Sequence, residues 1–258
     1  GMSTLIEGHR LSFRYGGRPV LKEVSIEIQA GQFTVILGRN GSGKSTLLRI
    51  MAGLLKPESG TLCVMGRDLQ RLSLPERAKI IGYLPQFHRP VFPFTAEEVV
   101  LTGRASYVNL IPRMADRDIA LQALEKAGIS HLRLRPFTEL SGGEQQLVMV
   151  ARVLAQEPKI ILLDEPTTHL DFLNQARLLG LIREFVDAEL AVVAVLHDPN
   201  LAFLYGDRFI FLRDGQTETW HSSQKPWDPE ILARVYGAGV SSIPYRGRAL
   251  VIPGFELK

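Results

Sequence analysis

The eight residues Gly38-Arg39-Asn40-Gly41-Ser42-Gly43-Lys44-Ser45 constrain this chain more than any other stretch. They fit the pattern glycine, four variable residues, then Gly-Lys-Ser. Ahead of them, residues 33–37 form a near-continuous apolar run, the pattern of a strand buried on both faces of a parallel sheet. After them, Leu47, Leu48, Met51, Leu54 and Leu55 recur at helical spacing up to Lys56-Pro57, where the helix is expected to end. Strand, glycine loop and helix in that order make an anion cradle. Glycines let the backbone wrap closely round phosphates, with successive N–H groups pointing inward. The helix N-terminus adds its partial positive charge. Lys44 supplies a mobile cation for the β- and γ-phosphates, and Ser45 a hydroxyl for Mg²⁺.

The rest of the chain is organised around that unit. Val24, Ile26 and Ile28 alternate with polar residues, and Leu11 and Phe13 do the same, so an N-terminal β layer is expected. Further buried strands are expected at residues 80–84, 160–163 and 191–196. Thr95 with Glu98 three residues on is a capping box. Ile119, Ala123, Leu124 and Ala127 form an apolar stripe closed by Gly128, and Leu147, Val150, Ala151 and Leu154 form another. An α/β core interrupted by a helical insertion over residues 88–157 follows. Asp228-Pro229-Glu230 opens a tail helix through Ile231, Leu232 and Val235, and residues 249–253 add a short strand.

In a parallel sheet, ligands sit at the carboxyl ends of the strands. The strand at 160–163 ends in Asp164 and Glu165. Asp164 would face Mg²⁺, and Glu165 the attacking water as general base or water-orienting group. A pair of solvated acids would look the same in isolation; the phosphate loop makes the catalytic reading the stronger. Gln86 and His197 end two other strand regions and gain weight from that shared placement. Leu140-Ser141-Gly142-Gly143-Glu144-Gln145 carries a second helix start with two glycines. It is either an ordinary capping box or a second anion site. One nucleotide has little need of both sites in one chain, and a head-to-tail dimer resolves this by letting each copy complete the other's site.

Composition narrows the alternatives. A net charge of +3 over 258 residues, with no dense Lys/Arg block, gives no nucleic-acid footprint. The longest apolar runs are too short to cross a bilayer, so the chain is expected to be soluble by itself. Cys63 is the single cysteine, which excludes an intrachain disulfide and fits a reducing compartment.

Together these residues resemble the ABC ATPase family. The loop matches its Walker A, Gln86 its Q-loop, residues 140–145 its signature, Asp164-Glu165 its Walker B, Leu170-Asp171 its D-loop and His197 its switch histidine. The resemblance implies one P-loop NTPase domain of α/β class with a mixed, largely parallel sheet. Residues 1–87 and 158–258 would form the nucleotide-binding core, and 88–157 a helical insertion bearing the signature. It implies that Tyr15 stacks on adenine and that Gly38 through Ser45, with Thr46, hold ATP. Ser141, Gly142, Gly143, Glu144 and Asp171 of a second copy would close over it. Mg²⁺ would be held by Ser45, Gln86 and Asp164, and Glu165, His197 and Gln86 would carry hydrolysis.

The resemblance further implies a peripheral subunit on the cytoplasmic face of a membrane. It would drive integral-membrane permease subunits, with a substrate-binding protein engaged indirectly. Residues 94–104, the tail Leu232-Ala233-Arg234-Val235-Tyr236-Gly237 and Val251-Ile252-Pro253 are similar to the subfamily importing iron–siderophores, haem, cobalamin and other metal chelates. A ferric siderophore is the first expectation, haem or cobalamin the alternative. Ribosome-associated members carry two ATPase halves, and DNA-repair heads carry heptad coiled coils; this chain has neither. Exporters share the motifs but not the 94–104 stretch. Three residues depart from the family's pattern: Arg39 where proline is usual, Glu144 where glutamine is commoner, and His169 where a small residue is usual.

Overall fold

The computed structural model describes residues 3–86, 93–108, 111–187, 190–237 and 239–254. The expected boundary between core and insertion at 87/88 lies outside the described residues. Period-two burial builds the first layer. In β1 (Thr4–Tyr15) and β2 (Arg18–Gln29), Ile6, Gly8, Leu11, Leu21, Val24, Ile26 and Ile28 are buried, while Glu7, His9, Lys22, Glu23, Ser25 and Glu27 between them are exposed. With β4 (Ser59–Val64) and β5 (Arg67–Asp68) these strands form an antiparallel sheet of order β2-β1-β4-β5.

The second sheet is the apolar-run sheet. It contains β3 (Phe33–Gly38), β6 (Ile81–Leu84), β7 (Ile160–Asp164), β8 (Ala191–Val195), β9 (Arg208–Arg213) and β10 (Gln216–Glu218), in the order β10-β9-β3-β8-β7-β6. Every neighbouring pair is parallel except the β9–β10 hairpin. β3, β7 and β8 are buried at every residue because both faces are covered.

Alternate residues of those strands enter two different cores. Ile36, Val193, Val195, Ile160 and Leu162 pack with the antiparallel sheet and with Leu47, Leu48, Ile50 and Met51 of α1 (Lys44–Met51). Val35, Leu37, Val192, Ala194, Ile161 and Leu163 pack on the opposite face with residues of the helices. Those helices are α3 (Ala96–Leu101), α4 (Met114–Lys126), α5 (Gly142–Leu154), α6 (Phe172–Asp187), α7 (Pro199–Tyr205) and α8 (Pro229–Tyr236). α2 (Leu74–Ile80) is a short capped helix leading into β6, and β11 (Val240–Tyr245) with β12 (Arg248–Pro253) form a separate C-terminal hairpin. This is the expected α/β class, a largely parallel sheet beside an antiparallel β layer. The α3, α4 and α5 helices contact one another. Arg104, 5% exposed, ties them to the segment before β7 by donating to Asp116 and to the Ala155 carbonyl.

Besides β4, β5, β9, β10, β11, α2 and α7, which the sequence reading does not place, two elements depart from expectation. α1 stops at Met51 rather than continuing to Lys56-Pro57. Gly53 adopts a left-handed φ of 72°, and the Leu54 N–H returns to the Arg49 carbonyl at 2.9 Å, so the helix closes in a glycine-terminated cap. Leu54, counted in the apolar stripe, is consequently exposed. Residues 172–187 received no element from the sequence, yet form α6, with Leu178, Leu179, Ile182, Phe185 and Val186 buried at helical spacing.

Candidate functional site

β3 delivers the chain to Gly38 with no room for a side chain. A Cβ there would stand 2.2 Å from the Leu212 carbonyl oxygen and 2.7 Å from Ser42 Oγ. Gly43, with φ 102°, would drive a Cβ to within 2.7 Å of Leu21 Cδ2. Gly43 is the N-cap of α1, no side chain caps that helix start, and no acid lies in its first turn. Its N–H donors are therefore left for an anion. Lys44 is 5% exposed, and its Nζ donates to the Gly38 and Arg39 carbonyls at 2.9 Å each. Burial holds its pKa below the usual lysine value, with Glu165 and Asp164 pulling the other way. A phosphate would supply the counter-charge and compete for those N–H donors.

Asp164 is the last residue of β7 and 1% exposed. Ser45 Oγ donates to its Oδ1 at 2.8 Å, and Tyr83 Oη to its Oδ2 at 3.4 Å. Burial pushes this carboxyl up, and the Ser45 hydrogen bond opposes the push. A hydroxyl and a carboxylate at this separation are hard oxygen donors of the kind Mg²⁺ takes when phosphates complete its shell. The chemistry of the donor set thus fits the cation.

Glu165 follows with φ 51°, a left-handed conformation that costs a non-glycine residue about 1–3 kcal/mol. That turn aims its carboxylate at three partners. His197 Nε2 lies 2.7 Å from Oε1, Gln86 Nε2 donates to Oε2, and Thr168 Oγ1 donates to Oε2 at 3.3 Å. Glu165, Gln86 and His197 thus come from just beyond the carboxyl ends of β7, β6 and β8 and meet at one point.

These groups border a cleft of about 770 Å³. Of the residues singled out from sequence, Tyr15, Asn40, Gly41, Gly43, Lys44, Ser45, Thr46, Gln86, Glu165 and His197 line it. Gly38, Arg39 and Ser42 belong to the loop but not to the lining; Asp164 sits behind Ser45. Arg18, Pro19, Val20, Lys22, Asp214 and Gly215 also line the cleft and were not anticipated. The Asp214-Gly215 pair is a hairpin-turn signal that could have been read. Its approach to Lys22, whose N–H donates to the Gly215 carbonyl at 2.8 Å, is a long-range contact that sequence spacing does not reveal.

Ser141, Gly142, Gly143 and Glu144 do not line the cleft. They form the start of α5, where Ser141 Oγ accepts from the Glu144 N–H at 3.3 Å and the Glu144 carboxylate accepts from the Ser141 N–H at 2.8 Å. That second bond is the main reason the Glu144 carboxyl is held below its usual range. Gly143 faces the first turn of α6: a Cβ would lie 2.7 Å from Asn174. Asp171 accepts from the Asn174 N–H and side-chain amide at 2.8 and 3.0 Å. His169 is exposed, with a left-handed φ of 67°. Ser141 and Asp171 are thus brought near one another, and neither joins the phosphate loop of its own chain. Among the described residues no helix is long and apolar enough to cross a membrane.

The family model described as "ABC transporter" matches residues 21–168. The hemin import ATP-binding protein HmuV of Pseudomonas fluorescens is 40% identical over 255 residues, covering 96% of this chain and 99% of that protein. A solved metal-chelate type ABC transporter in an inward-facing conformation superposes with a TM-score of 0.85 at 28% identity, over 98% of both chains. An ATP-binding cassette solved as a dimer in a post-hydrolysis state, bound to ADP and phosphate, gives a TM-score of 0.74 at 31% identity, over 86% of this chain and 100% of that one.

Proposed function

Because the chain belongs to the ABC transporter family and is one of its transport-driving ATPases, we propose that it powers import of haem or a closely related iron chelate as half of an ATP-sandwiching dimer. One observation carries the catalytic part: Glu165, His197 and Gln86 meet at one carboxylate at the mouth of a phosphate-loop cleft. The loop N–H groups and Lys44 bind the triphosphate, and Tyr15 at the rim stacks on the base. Ser45 and Asp164, with Gln86, hold Mg²⁺, which when bound neutralises charge on the β- and γ-phosphates. Glu165 accepts the proton of the attacking water, and His197 and Gln86 fix the direction of its carboxylate. Ser141, Gly142 and Gly143 of a second copy, with Asp171 beside them, close the open side.

The core at 1–87 and 158–258 would carry the nucleotide and the insertion at 88–157 would work the permease. The subunit would sit peripherally at the cytoplasmic face, with a substrate-binding protein delivering cargo to the permease. Haem is placed ahead of the ferric siderophore expected from sequence because the relatives include hemin import ATPases nearly collinear with this chain. A strain lacking this subunit, supplied with either haem or a ferric siderophore as its iron source, tests the cargo. Growth lost on haem alone supports the proposal; growth lost only on the siderophore reverses the order. Purified chain that hydrolyses no ATP, alone or with its permease, would remove the catalytic reading.

A further inference from the structure

The C-terminal tail, α8 and the β11–β12 hairpin, plays no part in the chemistry above. Arg234 of α8 donates to Glu218 of β10, but the hairpin's bonds across the fold converge on the segment that follows His197. Asn200 Nδ2 donates to the Val251 carbonyl at 3.1 Å, and the Val251 N–H donates back to Asn200 Oδ1 at 2.6 Å. The Asn200 amide therefore acts as a one-residue strand partner for β12. Arg248 Nη1 donates to the Phe203 and Gly206 carbonyls at 2.7 and 2.5 Å, at the other end of the same helix. α7 is gripped at its first and last turns by one hairpin.

α7 needs that grip. Seven residues are too few to hold a helix by local bonds alone. The Asp198 cap, which accepts from the Asn200 N–H at 2.7 Å, helps only its first turn. Upstream, the sheet pairing of β8 ends at Val195, one further bond joining Leu196 to Ile36. His197 and Asp198 hang between the end of the sheet and the start of α7, and both are exposed.

α8 ends close to the phosphate loop. The Tyr236 hydroxyl is buried and has no hydrogen-bond partner among the described residues. Burial pushes its pKa well up, and the Asp198 carboxylate adds to the push. One residue on, Gly237 ends α8 in a left-handed turn, and Arg39 Nη1 lies 3.3 Å from where a Cβ on Gly237 would stand. The last turn of α8 is therefore in reach of the phosphate loop.

We propose that the tail is a brace for hydrolysis: Arg248 and Asn200 are positioning residues that hold α7 at its two ends so that His197 keeps its place against Glu165. The proposal rests on reading His197 as part of the hydrolytic site. It assigns the tail to turnover and leaves nucleotide affinity to the phosphate loop.

Three variants test it in the full chain: Arg248→Met removes both carbonyl contacts, Arg248→Lys can restore one, and Asn200→Ala removes both bonds to Val251. Affinity for Mg–ATP, measured by equilibrium binding, should stay within about two-fold of the parent in all three, because the phosphate loop is untouched and misplacing a group beside Glu165 affects turnover first. Turnover should fall by about 10- to 100-fold in Arg248→Met, recover in part in Arg248→Lys, and fall at least about three-fold in Asn200→Ala. Hydrogen exchange should quicken at residues 198–206 of Arg248→Met and stay unchanged in α1. An Arg248→Met chain with parental turnover overturns the brace. If that variant fails to fold, Asn200→Ala decides alone, and parental turnover there overturns it. A parent chain that binds no ATP would sink the underlying reading of the site, an outcome separate from a parent that turns over and variants that match it.

Discussion

Two helices in this molecule begin with glycine and small polar residues, and their starts are built differently. α1 opens at Gly43 with no side-chain cap and no acid in its first turn. α5 opens at Ser141 with a complete capping box and the Glu144 carboxylate over its first N–H groups. The first start lies inside the cleft with Lys44, Glu165 and His197; the second is exposed and lines no part of it. An uncapped start surrounded by converging groups is ready for its anion. A self-capped start on the surface is stable without one and meets a phosphate only when another molecule brings it. In the proposed dimer, that difference would make two similar motifs two halves of one site.

The sharpest way to test the first half is Glu165→Gln. Turnover should fall by about 100- to 10,000-fold, the usual loss for a general base, while Mg–ATP still binds. Single-turnover hydrolysis and equilibrium binding on the same sample measure both. Loss of binding together with turnover would move Glu165 from catalysis to affinity.

Lys44→Ala and Ser141→Arg then separate the two helix starts. Lys44→Ala should weaken ATP binding by a lone chain more than about ten-fold, since a charge-assisted contact to phosphate is lost. Ser141→Arg should leave lone-chain affinity unchanged and stop hydrolysis. Fluorescent-nucleotide titration at low protein concentration, set beside turnover at high concentration, measures the contrast. A lone-chain affinity loss in Ser141→Arg would place residues 141–144 at their own chain's nucleotide.

The smallest effect is expected at Glu144. Its carboxyl is held below 4.5 in the folded chain, chiefly by the Ser141 N–H. It therefore contributes stability that is present above the unfolded value and lost as pH falls through the lowered folded one. Glu144→Gln should melt slightly earlier than the parent at neutral pH, with the gap closing as pH falls through the lowered folded value. It should also lower the ATP concentration needed for half-maximal turnover, because a negative charge leaves a surface that must approach phosphates. Thermal melts across pH and an ATP titration check the two expectations; a melting gap that widens in acid would contradict the first.

The nucleotide half of this comparison was open to sequence reasoning because each of its parts is local. Residues 33–38 and 160–164 are apolar runs with a turn or an acid at the end, and burial on both faces follows from that pattern. The capping boxes at Ser141 and Thr95 each show within four consecutive residues. Most of what escaped depended on contacts across the fold; α6 did not, since Leu178, Ile182 and Phe185 carry its helical spacing in the sequence itself. The end of α1 at Gly53 was hidden by leucines that continue the stripe beyond the turn. No spacing rule brings Asp214-Gly215 to the cleft beside Lys22, or Arg248 and Val251 to the two ends of α7. The convergence of Gln86 and His197 on Glu165 was implied by strand ends, but the left-handed turn at Glu165 that permits it was not.

The central claim is that the start of α5 in one copy completes the α1 cleft of another, and mixing two inactive variants tests it most directly. Lys44→Ala spoils only the cleft and Ser141→Arg only the α5 start. In a mixed dimer one site would join an intact cleft from the Ser141→Arg chain to an intact α5 start from the Lys44→Ala chain. ATPase activity absent from either variant alone should appear on mixing and peak near equal amounts. If activity stays at the sum of the two separate samples at every ratio, the two helix starts do not form one site between copies, and the account fails.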